Sequence, residues 1–286
     1  MVGIGVLAIS PDALIVRLVK LDSPAIAFWR ALLMSMGFLG TALFLYRGGT
    51  VSRFRSMGRL GLMVTGFSAM SSVLFVVAVT HTAVSNTLVI LAASPVFAAL
   101  LSAAFLGDHV RRETWIASFL ILIGVAAIVG GSLGGSGLVG DLAALAGSLS
   151  TAGMLVTLRR HPGADPIPGL ALGGLAGAAI VSPAVGRIEP TRHDLLLLML
   201  LGLVLLPIAI GLITRGPKYL TAPEVGLMML LETLLGPLWV WIGIGERPGR
   251  DSLLSGLLIV SVLAVHSTLS LRTEIRAERP VAEARA

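Results

Sequence analysis

Apolar stretches of roughly 18 to 24 residues recur along almost the whole chain, each closed by a short charged or Gly/Pro-rich break. A helix needs about 20 such residues to cross a hydrocarbon core about 30 Å thick. Inside that core only a helix or a closed barrel satisfies its own backbone. About ten stretches are present, at roughly 2–19, 25–46, 60–80, 85–106, 114–131, 140–158, 166–185, 194–213, 222–243 and 252–270. The spacing predicts an all-α integral membrane protein of about ten transmembrane helices. Only 13% of the residues are charged and the mean hydropathy is +0.95, whereas about a quarter of a soluble domain is charged. The first stretch is interrupted by Asp12 and Arg17. No lysine or arginine precedes it and no small-residue cleavage motif follows, so it reads as a retained span rather than a signal peptide.

The formal charge of +6 raises the question of nucleic acid, and the placement of the basic residues answers it. With the N-terminus in the cytoplasm, the inner loops and tail collect about fourteen of them, among them Arg47, Arg53, Arg55, Arg59, Arg159, Arg160 and Arg276. The outer loops collect about five: Lys20, Arg187, Arg192, Arg247 and Arg250. This is the asymmetry of a multi-pass protein of the cytoplasmic (inner) membrane with both termini inside, not of a nucleic-acid partner. The chain has no cysteine, which removes disulfides, thiolate metal sites and a cysteine nucleophile, and no metal or other cofactor is expected.

The chain also repeats itself. "HTAVSNTLVILAASPVFAALLSAAFLGDHVRRETW", from His81, aligns with "LTAPEVGLMMLLETLLGPLWVWIGIGERPGRDSLL", from Leu220. Thr82-Ala83 falls on Thr221-Ala222 and Leu88 on Leu227; after a one-residue slip, Gly107-Asp108 falls on Gly245-Glu246. Upstream, Arg17 and Pro24 fall on Arg159 and Pro166. The unit is about 140 residues and five spans long. An odd number of spans makes the second copy enter the membrane from the opposite side, the inverted repeat used by transporters with a site near the midplane. The expected division is residues 1–136, residues 137–271 and a charged cytoplasmic tail, 272–286.

"SPDALIVRL", "SPAIAFWR", the "TA…N…L…SP" fourth stretch and "LLETLLGPLWVWIGIGERP" together resemble the EamA-domain family of the drug/metabolite transporter superfamily. The resemblance covers nearly the whole chain. It implies an exporter of a small organic metabolite, an amino acid or related compound, working by alternating access, with proton antiport and facilitated diffusion both compatible. YddG-like exporters are the nearest well-known branch. They carry an aromatic residue immediately before the proline of the fourth span, where this chain has Ser94 before Pro95.

Polar residues inside apolar stretches then mark the candidate site. A carboxylate at the centre of a span costs about 2.5 to 3.5 kcal/mol on insertion scales, so Glu232, within "LMMLLETLLGPLWVW", calls for a partner or an aqueous cavity. It is expected either to line the transport path or to lock its helix to a neighbour. Asp12 is the other deep carboxylate and follows Ser10-Pro11, where a proline frees backbone groups. It could act in transport or form an ion pair with Arg30. Arg17 and Arg30 are expected to reach the headgroups. The resemblance places the corner of His81 and Asn86 beside the central cavity, while a surface histidine is the plainer reading of His81. Pro11, Pro95, Gly236 and Pro237 are expected to break helices near the cavity. Gly169, Gly173 and Gly177 line one face of the seventh stretch for close packing, within one chain or in a homodimer. Thr221 and Glu224 have the spacing of a capping box.

Two motifs point elsewhere and fail on context. "GSGLVG" matches GxGxxG but lacks the strand and βαβ unit that give it phosphate-binding geometry. "GGSG", with Ser136, resembles an intramembrane serine protease with His266 as base, but the expected topology sets the two about 20 Å apart in depth. No Walker A motif is present, and the chain is not expected to be an enzyme. A membrane scaffold or lipid-interaction protein is the remaining alternative. The expected partners are a small-molecule substrate, the lipid bilayer and protons.

Overall fold

The computed structural model describes residues 2–107, 112–132, 135, 137–161, 163–186, 189–214, 222–250, 252–265 and 268. Among these the architecture is helical, with no strand. Among the described residues fourteen α-helices follow the apolar stretches, α4 lying between two of them, and six spans are long and apolar enough to cross a membrane by length and composition. They are α1 Val2–Ile9, α2 Asp12–Leu18, α3 Ser23–Tyr46, α4 Thr50–Ser56, α5 Gly58–His81, α6 Val84–Leu91, α7 Ser94–Leu106, α8 Arg112–Gly131, α9 Leu138–Arg160, α10 Ile167–Val181, α11 Arg192–Met199, α12 Leu206–Ile213 and α13 Ala222–Ile244, followed by α14 Ser252–Val265. Large apolar side chains such as Phe44, Phe119, Leu196 and Ile242 point outward around the bundle, the inverse of a soluble surface and the form expected where lipid is the solvent.

Local chemistry explains the broken spans. Pro11 has no N–H to donate, so α1 ends where Ser10 N donates to Val6 O at 3.0 Å, and α2 restarts as Ile15 N donates to Pro11 O at 2.9 Å. The fourth span is interrupted in the same way at Ala92-Ala93, just before Ser94-Pro95. The eighth contains a π-helical turn, Leu200–Leu205, ahead of Pro207; the wider turn lets the backbone pass a residue that cannot donate. Gly107 after α7 and Gly245 after α13 both take a left-handed φ, +70° and +73°. Only glycine adopts this cap without strain. These are the two glycines that the internal alignment superposes, so the repeat in sequence is also a repeat in conformation.

Packing follows the same exchange. Counting α1–α2, α6–α7 and α11–α12 as single spans, α5 packs on α9 as α12 packs on α1. Likewise α5 meets α10 as the π-helical turn meets α3, and the α6–α7 span meets α9 as α13 meets the α1–α2 span. The contacts α3 with α10 and α6 with α13 map onto themselves, as does that of α8 with α14, where Gly124 faces Ile259. Replacing each span by the one five places along exchanges or preserves these contacts, whereas the contact of α3 with α5 has no counterpart of similar extent between α10 and the eighth span among the described residues.

The glycines of α10 set its distance from its neighbours. A Cβ on Gly169 would meet Val64, and one on Gly173 would meet Ser68, both on α5. On the adjoining face a Cβ on Gly174 would lie 2.5 Å from the Ala31 carbonyl of α3. The small-residue face therefore serves packing within the chain. Antiparallel contacts fix which helix ends lie together. Arg30 meets Ser72 and Ser23 meets Thr80, while Ser71 meets Thr151. One end of the bundle thus gathers the C-terminus of α3, α4, the N-terminus of α5 and the C-terminus of α9. The other gathers Lys20, Thr82 and Glu246.

Candidate functional site

The break in the first span positions the central charge pair. Asp12 is the first residue of α2, where the helix dipole favours a carboxylate. Arg30, on α3, grips it from the side: Nε donates to Oδ1 at 3.2 Å and Nη2 to Oδ2 at 2.5 Å, while Nη1 donates to Ser72 Oγ at 2.9 Å. The guanidinium lies 4.9 Å from the centre of the Phe75 ring. Asp12 is 3% and Arg30 5% exposed. A fork-on-fork pair with every arm engaged is the arrangement in which the attraction of two buried charges offsets the loss of their water. The ion pair considered from the sequence is therefore formed. The headgroup-seeking role expected for Arg30 is corrected, because its side chain is buried among α2, α3 and α5. Arg17 likewise bonds within the protein: Nη2 donates to Thr82 O at 2.8 Å and lies 3.4 Å from Glu246 Oε2.

Glu232 approaches from the second half. On α13, positions 232, 236, 239 and 243 share one stripe at helical spacing. A Cβ on Gly236 would meet Leu88 of α6, Trp239 Nε1 donates to Ser10 Oγ at 3.0 Å, and a Cβ on Gly243 would meet Leu14 of α2. The stripe thus faces the first half. Glu232, half-buried, lies one helical turn before Gly236 on the same stripe. The result is a polar seam of Ser10, Asp12, Arg30 and Ser72 in the first half, with the Glu232 stripe of α13 turned toward it.

Pro11 and Pro95 lie at interruptions, but the break expected at Gly236-Pro237 is absent: α13 runs continuously from Ala222 to Ile244 with Pro237 inside it. Pro237 withholds one N–H from the carbonyl of Thr233 and the surrounding helices hold the rest of the ladder. Gly236 serves instead as a point of close approach for Leu88.

The other sequence candidates lie elsewhere. Asn86 joins a second polar cluster with Asp141, which is fully buried. Its Nδ2 donates to Thr82 Oγ1 at 3.3 Å and reaches Asp141 Oδ1 at 3.5 Å, and its Oδ1 accepts from Ser252. Ser132 Oγ donates to Asp141 at 2.5 Å, so the cluster ties α6 and α9 to the end of α8 and the start of α14. Ser94 bonds the Leu91 carbonyl at 2.5 Å and Ser148 Oγ at 3.0 Å, which closes the seam of α7 with α9. His81 is exposed at the end of α5, its Nδ1 2.9 Å from Val77 O. Ser136, Thr221 and His266, and the side chain of Glu224, lie outside the described residues. Sequence reading missed Asp141, Ser72, Trp239 and Glu246. Asp141 lies in the first turn of α9, near the end of its span, where the insertion penalty is smaller and no sequence signal marks it.

Glu246 closes the end of the seam that lies beside Lys20. Its Oε1 accepts from Val84 N at 3.0 Å while Oε2 faces Arg17, so one carboxylate from the second half joins the end of α2 to the start of α6.

Among curated proteins none matches the chain. One solved structure, described only as a crystal structure of a protein, superposes with a TM-score of 0.69 at 20% identity, covering 94% of this chain and 96% of its own; this supports the fold alone. Residues 5–130 match the EamA-like transporter family. That stretch holds Asp12, Arg30 and Ser72, and the spans around it are membrane-crossing by length and composition. The chain therefore matches the EamA-like transporter family over residues 5–130, and its described helices are those of a multi-pass membrane protein.

Proposed function

We propose that the protein exports a small organic metabolite, an amino acid or related compound, across the cytoplasmic membrane, with both termini cytoplasmic. The two units, residues 1–136 and 137–271, rock about the polar seam between them and expose it alternately to each side. The observation that carries this reading is the seam itself: a buried carboxylate–guanidinium pair at a helix interruption in one half, with a second carboxyl on the stripe of α13 that is turned toward that half. A chain that only had to hold together would be served as well by apolar packing at this depth. In this reading the contact of Arg17 with Glu246 is the closure at one end. Asp12 and Arg30 neutralise each other and act as the fixed wall. Glu232 is the group left to exchange a proton or meet the cargo. Asn86, Ser94 and His81 act around the path rather than in it.

The test is uptake of a labelled metabolite panel, amino acids first, into liposomes holding the purified protein, with and without an imposed pH gradient. Uptake of at least one compound above protein-free liposomes is expected. Retention of none, with the protein folded, favours the scaffold reading.

A further inference from the structure

We propose that the end of the bundle carrying α4 is a binding surface for anionic phospholipid headgroups. Between residues 47 and 59 the chain has four arginines and no acidic residue. Arg47, Arg53, Arg55 and Arg59 are all exposed. Arg159 and Arg160, at the end of α9, are exposed at the same end, since α5 and α9 run antiparallel with Ser71 on Thr151 and Gly153 on Phe67. Asp165, an acid at this end, accepts from Ile167 N and from the Tyr46 hydroxyl.

The setting is that of a helix lying in a membrane interface. Phe54 turns inward onto the main core, while Phe44, 82% exposed, and Val51, 67% exposed, present apolar surface beside the guanidinium groups. Arginines bordering an apolar belt meet phosphates at the level where acyl chains begin; a soluble polyanion would gain nothing from Phe44 and Val51. Arg53 is partly ordered for this task, because its guanidinium lies 5.7 Å from the centre of the Tyr46 ring. At the opposite end Arg17, Lys20, Arg192, Arg247 and Arg250 are interspersed with Asp22, Glu189, Asp194 and Glu246, so the field there is of mixed sign.

The experiment counts lipids retained by the purified protein, by mass spectrometry, after gel filtration from mixed micelles holding equal phosphatidylglycerol and phosphatidylcholine. Wild type is expected to retain the anionic lipid in clear excess. The triple variant Arg53→Gln/Arg55→Gln/Arg59→Gln is expected to lose that excess by about tenfold or more, since each interfacial charge contributes about fivefold. The triple variant Arg192→Gln/Arg247→Gln/Arg250→Gln, at the other end, is expected to keep it. Equal retention of the two lipids by wild type, or an unchanged excess in the first variant, overturns the proposal. So does displacement of the lipid by soluble glycerol phosphate at the same headgroup concentration, which would assign the surface to free anions.

Discussion

Arg30→Ala is expected to destabilise the protein by about 3–5 kcal/mol, seen as a large drop in the melting temperature of the detergent-solubilised chain. The substitution removes the guanidinium that engages both Asp12 oxygens and leaves that carboxylate 3% exposed without its counter-charge. It also strips Ser72 of its donor and empties the space over Phe75. Arg30→Lys is expected to recover little, because an ammonium offers no planar fork to span two oxygens and a hydroxyl. Asp12→Asn in the Arg30→Ala background is expected to recover part of the loss, since a neutral amide is cheaper to bury than an unpaired carboxylate. Wild-type melting of Arg30→Ala would show that the pair does not hold the first three spans together.

Glu232→Gln is expected to do the opposite: to leave melting within about 0.5 kcal/mol of wild type and to lower uptake of the cargo more than tenfold. The amide keeps the volume and the hydrogen-bonding reach but cannot take up or release a proton or carry charge. Asp12 is committed to Arg30 on both oxygens, whereas Glu232 faces the seam half-buried on a stripe of α13 that already touches α2 and α6. The two carboxyl groups therefore separate experimentally, one by stability and the other by transport. If both variants lost only stability, Glu232 would be a second structural pairing group.

Much of this was legible in the sequence because the bilayer constrains it so tightly. The stretch at 25–46 became α3 Ser23–Tyr46 and that at 60–80 became α5 Gly58–His81. The internal alignment superposes Gly107 and Gly245, which share a left-handed φ. What stayed hidden depended on direction around a helix rather than position along it. Depth alone suggested that Arg30 could reach the headgroups; the other reading of the sequence, an ion pair with Asp12 18 residues back, is the one formed. The Asn86–Asp141 contact joins residues 55 apart, with no local pattern to betray it. Pro237 reads as a breaker in isolation. Inside a bundle the neighbouring helices determine whether the loss of one hydrogen bond ends the helix, and here it does not.

The central claim is that the buried seam becomes aqueous during the working cycle. The chain has no cysteine, so a single one reports without further engineering. Ser10→Cys places a thiol of nearly the same size in the seam, at a position 3% exposed in this conformation, and Leu234→Cys places one on the outer surface of α13, 57% exposed where lipid is expected. Both are to be treated in oriented liposomes with a membrane-impermeant thiol reagent applied from each side in turn. The account predicts that Ser10→Cys is labelled from both sides, with rates that shift oppositely when cargo is added to one side, while Leu234→Cys stays unlabelled. A thiol at position 10 that remains inert from both sides, in a folded protein, would contradict it.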